Sequence, residues 1–158
     1  MKRLNPFLIS LIFVLLMDLI TKEMVIKGIQ VGQGIPVIEG YVDIVHVRNR
    51  GVAFGLFAHG PISRAIPYVN VLILIGFGLY LLRLKASNYR EPLCAGLILG
   101  GAVGNLIDRI RFGEVVDFLD LHIGGYHWPA FNVADAAVSL GAILLGLSFL
   151  SKGAKKGP

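Results

Sequence analysis

Charge is scarce in this chain, and cysteine is nearly absent. Only 16% of its 158 residues are charged and 55% are apolar, against roughly 25% charged in ordinary soluble domains. Such a chain has lipid as its solvent. The single cysteine, Cys94, lies inside an apolar run, which excludes an intrachain disulfide and a cysteine-based metal site. There is no Gly-x-Ser-x-Gly nucleophile turn and no glycine–lysine phosphate loop. His46, His59, His122 and His127 lack His-Glu-x-x-His spacing, so a zinc peptidase site has no support. Each reads as a surface or turn residue, and no metal or cofactor is expected. The net charge of +5 is spread among apolar segments rather than gathered into a stripe, which argues against nucleic acid as a partner. No repeat, low-complexity segment or linker divides the chain, and a single domain over residues 1–158 is expected.

Four apolar stretches, residues 4–20, 66–84, 93–109 and 133–150, have the length of membrane helices. About 20 residues at a 1.5 Å rise cross a hydrocarbon core roughly 30 Å thick. Lys2 and Arg3 before the first stretch mimic the start of a secretory leader. No small-residue cleavage site follows, and an uncleaved first helix is the better reading. Lys2, Arg3, Arg83, Lys85, Arg90, Lys152, Lys155 and Lys156 cluster in short tails and one short loop, which puts both termini in the cytoplasm. Residues 21–64 and 110–132 then form outer loops. In the first, Tyr41-Val42-Asp43-Ile44-Val45-His46-Val47 is rich in strand-forming residues and predicts a small β element. In the second, Tyr126 and Trp128 suit the headgroup level. The expected fold is an all-α membrane protein of four helices with this small β element outside. Gly96, Gly100 and Gly104 recur every four residues on the third stretch, a packing face within a monomer.

Against this background a few polar residues stand out. A carboxylate at the centre of a membrane helix costs about 2.5 to 3.5 kcal/mol on insertion scales, which makes such acids functional candidates. Asp117, in Gly113-Glu114-Val115-Val116-Asp117-Phe118, has apolar neighbours that disfavour its charge. Asp135, in Phe131-Asn132-Val133-Ala134-Asp135, falls near a helix start, where the dipole favours charge. One protonated and one ionised carboxyl at neutral pH follow from that difference, the arrangement by which paired acids activate water. Glu114 and Asp120 read as solvated neighbours. Asp18 and Lys22 are one helical turn apart and suit an ion pair that fixes the first helix or serves proton transfer. Asn105, Asp108 and Arg109 share one face of the third helix. They suit a polar knot or substrate binding, with Arg109 leaning to substrate or carboxylate contact. Asn49 alone is a turn residue, and Phe54 and Phe57 suit an apolar groove.

Taken together, Asp18-Leu19-Ile20-Thr21-Lys22, Asn49-Arg50-Gly51-Val52-Ala53-Phe54-Gly55, Gly104-Asn105-Leu106-Ile107-Asp108-Arg109 and the segments around Asp117 and Asp135 resemble, in order, the motif series of bacterial lipoprotein signal peptidases. Val52 stands where alanine is frequent. The resemblance implies an aspartic endopeptidase of the bacterial inner membrane with its site near the outer face. It would cut a prolipoprotein before a diacylglyceryl-modified cysteine, with that precursor and membrane lipid as partners. It makes Asp117 and Asp135 the catalytic pair, places Asn49, Asn105, Arg109 and Asn132 around them, and gives Asp18, Lys22, Asp108 and Gly104 supporting roles. Two other readings of the same acids stay open: a small proton-coupled transporter using them as a relay, and a non-catalytic assembly factor built on the glycine face.

Overall fold

The structure, a computed structural model, describes residues 4–51, 68, 71–72, 74–79 and 89–154. Its elements are α1 (Leu4–Gly28), β1 (Gly34–Ile38), β2 (Val42–Asn49), α2 (Arg90–Phe112), β3 (Val115–Ile123), β4 (Tyr126–His127) and α3 (Val133–Ala154). Residues 74–79 are helical as well. Most of the second expected span, 66–84, lies outside the described residues, as do Phe54, Phe57 and His59.

The first helix is built inside out relative to a soluble one. Ser10, Val14, Asp18, Lys22 and Val25 are buried along one stripe, while Ile9, Phe13 and Met24 are more than 60% exposed. This is the polarity expected where the outer solvent is hydrocarbon and polar groups must find partners within the protein. The helix also runs eight residues past the expected end at residue 20. Val25 is buried beyond that point and Glu23 pairs with Lys27 one turn on, so packing and a local ion pair extend the helix.

Glycines let α2 lie between α1 and α3. A Cβ at Gly96 would strike Ser10 and the Phe7 carbonyl, one at Gly100 would sit 2.8 Å from the Leu11 carbonyl, and one at Gly104 would strike the Asp18 carboxylate. On the other side Gly101 meets the Ala134 carbonyl, and Gly141 of α3 comes against Cys94 and Ile98 of α2. Small residues thus allow helix backbones to approach on two faces of α2. Ser10 Oγ donates across the first contact to the Leu93 carbonyl at 3.0 Å. The last turn of α2 closes on Gly113, whose φ of 76° and N–H bond to the Arg109 carbonyl make a left-handed cap. Both α2 and α3 are long and apolar enough to cross a membrane, with mean hydropathies of 1.4 and 2.0.

The β element is larger than expected. Four antiparallel strands lie in the order β1-β2-β3-β4, and β3 occupies a stretch expected to be loop. Asp117 is therefore on a strand that pairs with β2, rather than in a loop. Glycines 124 and 125, with φ of 56° and 84°, supply the two positive-φ positions that a tight hairpin between β3 and β4 requires. Val25 of α1 packs with Val116 and Phe118 of β3 in a small core that also touches Ile44 and Val133. That core seats the sheet on one end of the helices.

Candidate active site

Two backbone features bring the acids together. Phe118 and Leu119 donate to the Phe131 carbonyl at 3.0 and 2.8 Å, and Phe131 returns a bond to the Leu119 carbonyl, so the chain entering α3 is pinned alongside β3. The helix then opens on a reciprocal cap. Asp135 N–H donates to Asn132 Oδ1 at 2.9 Å, and Asn132 N–H donates to Asp135 Oδ2 at 3.3 Å, a capping box built from asparagine and aspartate. A third free donor of this helix end, Ala134 N–H, reaches Asp18 Oδ1 of α1 at 2.9 Å.

Asn132 joins the two acids. Its Oδ1 is committed to a backbone N–H, so its Nδ2 must face the other way, where it donates to Asp117 Oδ1 at 2.7 Å. Asn49, the last residue of β2, donates to Asp117 Oδ2 at 3.0 Å, and its own Oδ1 accepts from Gly51 N–H in a turn. The register of β2 against β3 shifts between Ile44 and Val47; beyond the shift Asn49 lies opposite Val115, two residues from Asp117.

Beneath these lies a second polar layer. Lys22, with its side chain 2% exposed, has Nζ 2.7 Å from Asp18 Oδ2, 3.1 Å from Asp108 Oδ2 and 2.9 Å from Asn105 Oδ1. An ammonium group has donors only, so it turns the Asn105 carbonyl inward and leaves the Asn105 Nδ2 to donate to Asp135 Oδ1 at 2.8 Å. Asp108 also accepts from Val116 N–H of β3 at 3.1 Å, tying α2 to the sheet. Arg109 donates to the Gly51 carbonyl at 2.9 Å, holding the turn that follows β2 beside the site rather than forming a direct pair with either acid.

Asp117 and Asp135 line one cavity of about 270 Å³, together with Asn49, Asn105 and Arg109. Trp128, Pro129, Ala130 and Phe131 wall it from the second outer loop, and Ala136 and Ser139 from α3. Four carboxylates, those of Asp18, Asp108, Asp117 and Asp135, share this region with two cations, Lys22 and Arg109. The excess of negative charge favours retention of a proton, and Asp117 is the more buried of the two cavity acids. Burial, reinforced by the charge of Asp135, pushes the Asp117 carboxyl up to about 7 against the pull of its Asn49 and Asn132 hydrogen bonds. Among the described residues no group of three or more His, Cys, Asp or Glu is placed to hold a metal ion.

All ten residues singled out in the sequence occupy this cavity or the layer beneath it. Three neighbours differ from expectation. His46 is buried, with Nδ1 2.7 Å from the Ile29 carbonyl, because the turn before β1 folds back on β2. Asp120 pairs with His127 at 2.8 Å across the β3–β4 hairpin, and Glu114 pairs with Arg50 at 2.9 Å, so neither is simply solvated. Ser139 belongs to no motif, and only its position one turn after Asp135 could have pointed to it.

The chain is similar to known proteins over most of its length. The chain is 43% identical over 158 residues to the lipoprotein signal peptidase of Syntrophus aciditrophicus, covering 98% of each. It is 45% identical over 140 residues to that of Desulforapulum autotrophicum, covering 87% of this chain and 86% of the relative. A bacterial membrane enzyme solved by the in meso method at 2.3 Å superposes with a TM-score of 0.87 at 31% identity, over 97% of this chain and 92% of its own. The family model for signal peptidase II matches residues 10–151, nearly the full length of the chain, and the chain belongs to the signal peptidase II family.

Proposed function

We propose that this membrane protein is an aspartic endopeptidase that removes the signal peptide from diacylglyceryl-modified prolipoproteins, cutting before the lipidated cysteine. Its family membership supports the substrate class. The observation that carries the mechanism is that Asp117 and Asp135 line a single cavity and are joined through Asn132, which donates its side-chain amide to one and its backbone N–H to the other.

In this mechanism Asp117 begins protonated and Asp135 ionised. Asp135 takes a proton from a water in the cavity as the oxygen of that water bonds to the scissile carbonyl carbon, while Asp117 gives its proton to the carbonyl oxygen. In the second step Asp135 returns its proton to the leaving nitrogen and the C–N bond breaks. Asp117 regains a proton from the collapsing diol, so the products are a carboxylic acid and a free amine and the enzyme is unchanged. Asn49, Asn105 and Asn132 hold the carboxyl groups, and Arg109 holds the turn after β2 through the Gly51 carbonyl. Asp18, Lys22, Asp108 and Gly104 support this layer from below.

The chain is read as one domain with four membrane helices, counting the span at residues 66–84. It sits as a monomer in the bacterial inner membrane, both termini cytoplasmic and the sheet on the outer face. Family membership lends nothing to the reading of the acids as a transport relay. Asp117→Asn and Asp135→Asn, each purified folded in detergent, should lose cleavage of a lipidated precursor by at least about 100-fold, the lower range for loss of a general acid or base. Near-normal turnover by either variant would sink the dyad.

A further inference from the structure

Among the described residues, Ser139 is the one cavity-lining hydroxyl, and the mechanism above leaves it unused. It follows Asp135 by four residues, which puts it on the same face of α3 and about 6 Å along the axis at a 1.5 Å rise, toward the membrane interior. Both residues line the cavity. A serine or threonine in a membrane helix ordinarily satisfies its hydroxyl by donating to a carbonyl three or four residues back. Ser10 Oγ lies 2.9 Å from the Pro6 carbonyl, Thr21 Oγ1 2.7 Å from that of Met17 and Ser151 Oγ 2.9 Å from that of Ser148, whereas the hydroxyl of Ser148, which lines no part of the cavity, makes no such bond. Ser139 is exposed and makes no such bond. Its neighbours along the helix, Leu140 and Ile143, are apolar and more than half exposed, so neither supplies a polar side chain to it.

We infer that Ser139 is a substrate-binding residue whose hydroxyl donates a hydrogen bond to a carbonyl oxygen of the precursor on the membrane side of the two acids. The inference rests on the proposed placement of the reaction between Asp117 and Asp135. A hydroxyl deprived of water is strongly drawn to an acceptor, and the precursor presents carbonyls of one chemistry from two sources at that depth. These are the peptide carbonyls of the signal segment before the scissile bond and the ester carbonyls of the diacylglyceryl group. Either would be engaged in substrate and transition state alike, so the bond contributes to affinity rather than to the chemical step.

The test compares full-length wild type, Ser139→Ala and Ser139→Thr on a lipidated precursor peptide in detergent. Ser139→Ala should raise KM roughly five- to tenfold, the loss of one hydrogen bond, with kcat and its pH profile unchanged. Ser139→Thr should restore KM, and the melting temperature should not move because no intrachain bond is lost. Repeating the series with an ether-linked dialkylglyceryl precursor separates the sources. If the alanine effect disappears the acceptor is an ester, and if it persists the acceptor is a peptide carbonyl. A KM within twofold of wild type in Ser139→Ala overturns the inference. So does a loss carried by kcat with a shifted pH profile, which would mean that Ser139 acts through Asp135, or a lowered melting temperature shared by both variants. Asp117→Asn and Asp135→Asn, assayed beside them, report separately on the dyad.

Discussion

At the scale of single residues, the site is a set of groups that can each face only one way. Lys22 has only donors, so it orients the Asn105 amide, and Asn105 in turn presents a donor to Asp135. The Asp135 backbone orients Asn132, which presents a donor to Asp117. Asp117 is thereby held among fixed dipoles yet stays desolvated, with a carboxyl pushed up to about 7. This carries a prediction in pH. Between the ordinary value of 3.8 and about 7 the folded protein binds this proton more tightly than the unfolded chain does. The stabilisation is therefore complete below the ordinary value and is lost as pH rises through 7. Thermal unfolding of wild type and Asp117→Asn should show the variant gaining stability relative to wild type from pH 5 to pH 8. On the mechanism proposed, cleavage by wild type should also decline above pH 7 as Asp117 loses the proton it must donate. A stability difference independent of pH would contradict the burial-driven shift.

At the scale of elements, the decisive contacts are those where α2 gives up side chains. Gly104 is the place where α1 delivers Asp18, and with it Lys22, against α2. Gly104→Ala should lower stability by about 1–3 kcal/mol, the usual cost of overpacking, and should reduce cleavage by displacing the Lys22 layer. Among the described residues an added Cβ at Gly146 of α3 would meet nothing within 4 Å, and Gly146→Ala should be neutral or slightly stabilising through helix propensity. Paired thermal melts of the two variants in one detergent provide the check. Equal melting temperatures would show that the close approach at Gly104 is not energetically important. The sheet makes a comparable point about strands. β3 was only half visible in the sequence: Leu119-Asp120-Leu121-His122-Ile123 alternates apolar and polar, but Val115-Val116-Asp117-Phe118-Leu119 reads as a short apolar run, and the pairing with β2 and Phe131 that makes it a strand is long-range.

At the scale of the molecule, polar groups gather at one end of a helical body whose other faces are apolar, with the sheet seated over them. The proposed orientation puts this end outside the cytoplasm. Val37 on β1 is 60% exposed, while Cys94 is 2% exposed, so a Val37→Cys variant carries one accessible thiol against a protected background. In intact cells with a permeabilised outer membrane, a membrane-impermeant maleimide should label Val37→Cys and leave wild type unlabelled. Labelling only after lysis of the inner membrane would reverse the orientation.

The sequence by itself determined that the chain belongs in lipid, and it brought to notice the ten polar-site residues that converge on one region. The first follows from composition; of the second, the charged residues stand out one at a time by the cost of a charge near hydrocarbon, while Asn49, Asn132 and Gly104 are legible only through the ordered motifs. The tertiary structure alone decided which of these residues touch. Lys22 meets Asn105 across 83 positions and Asp18 caps α3 across 116, contacts that exist only because glycines let three helices close together. It also decided that Asp117 rides on a strand, and that Ser139, unremarkable in the sequence, faces the same cavity as both acids. A hydroxyl acquires meaning from what surrounds it, and that surrounding is assembled from segments far apart in the chain.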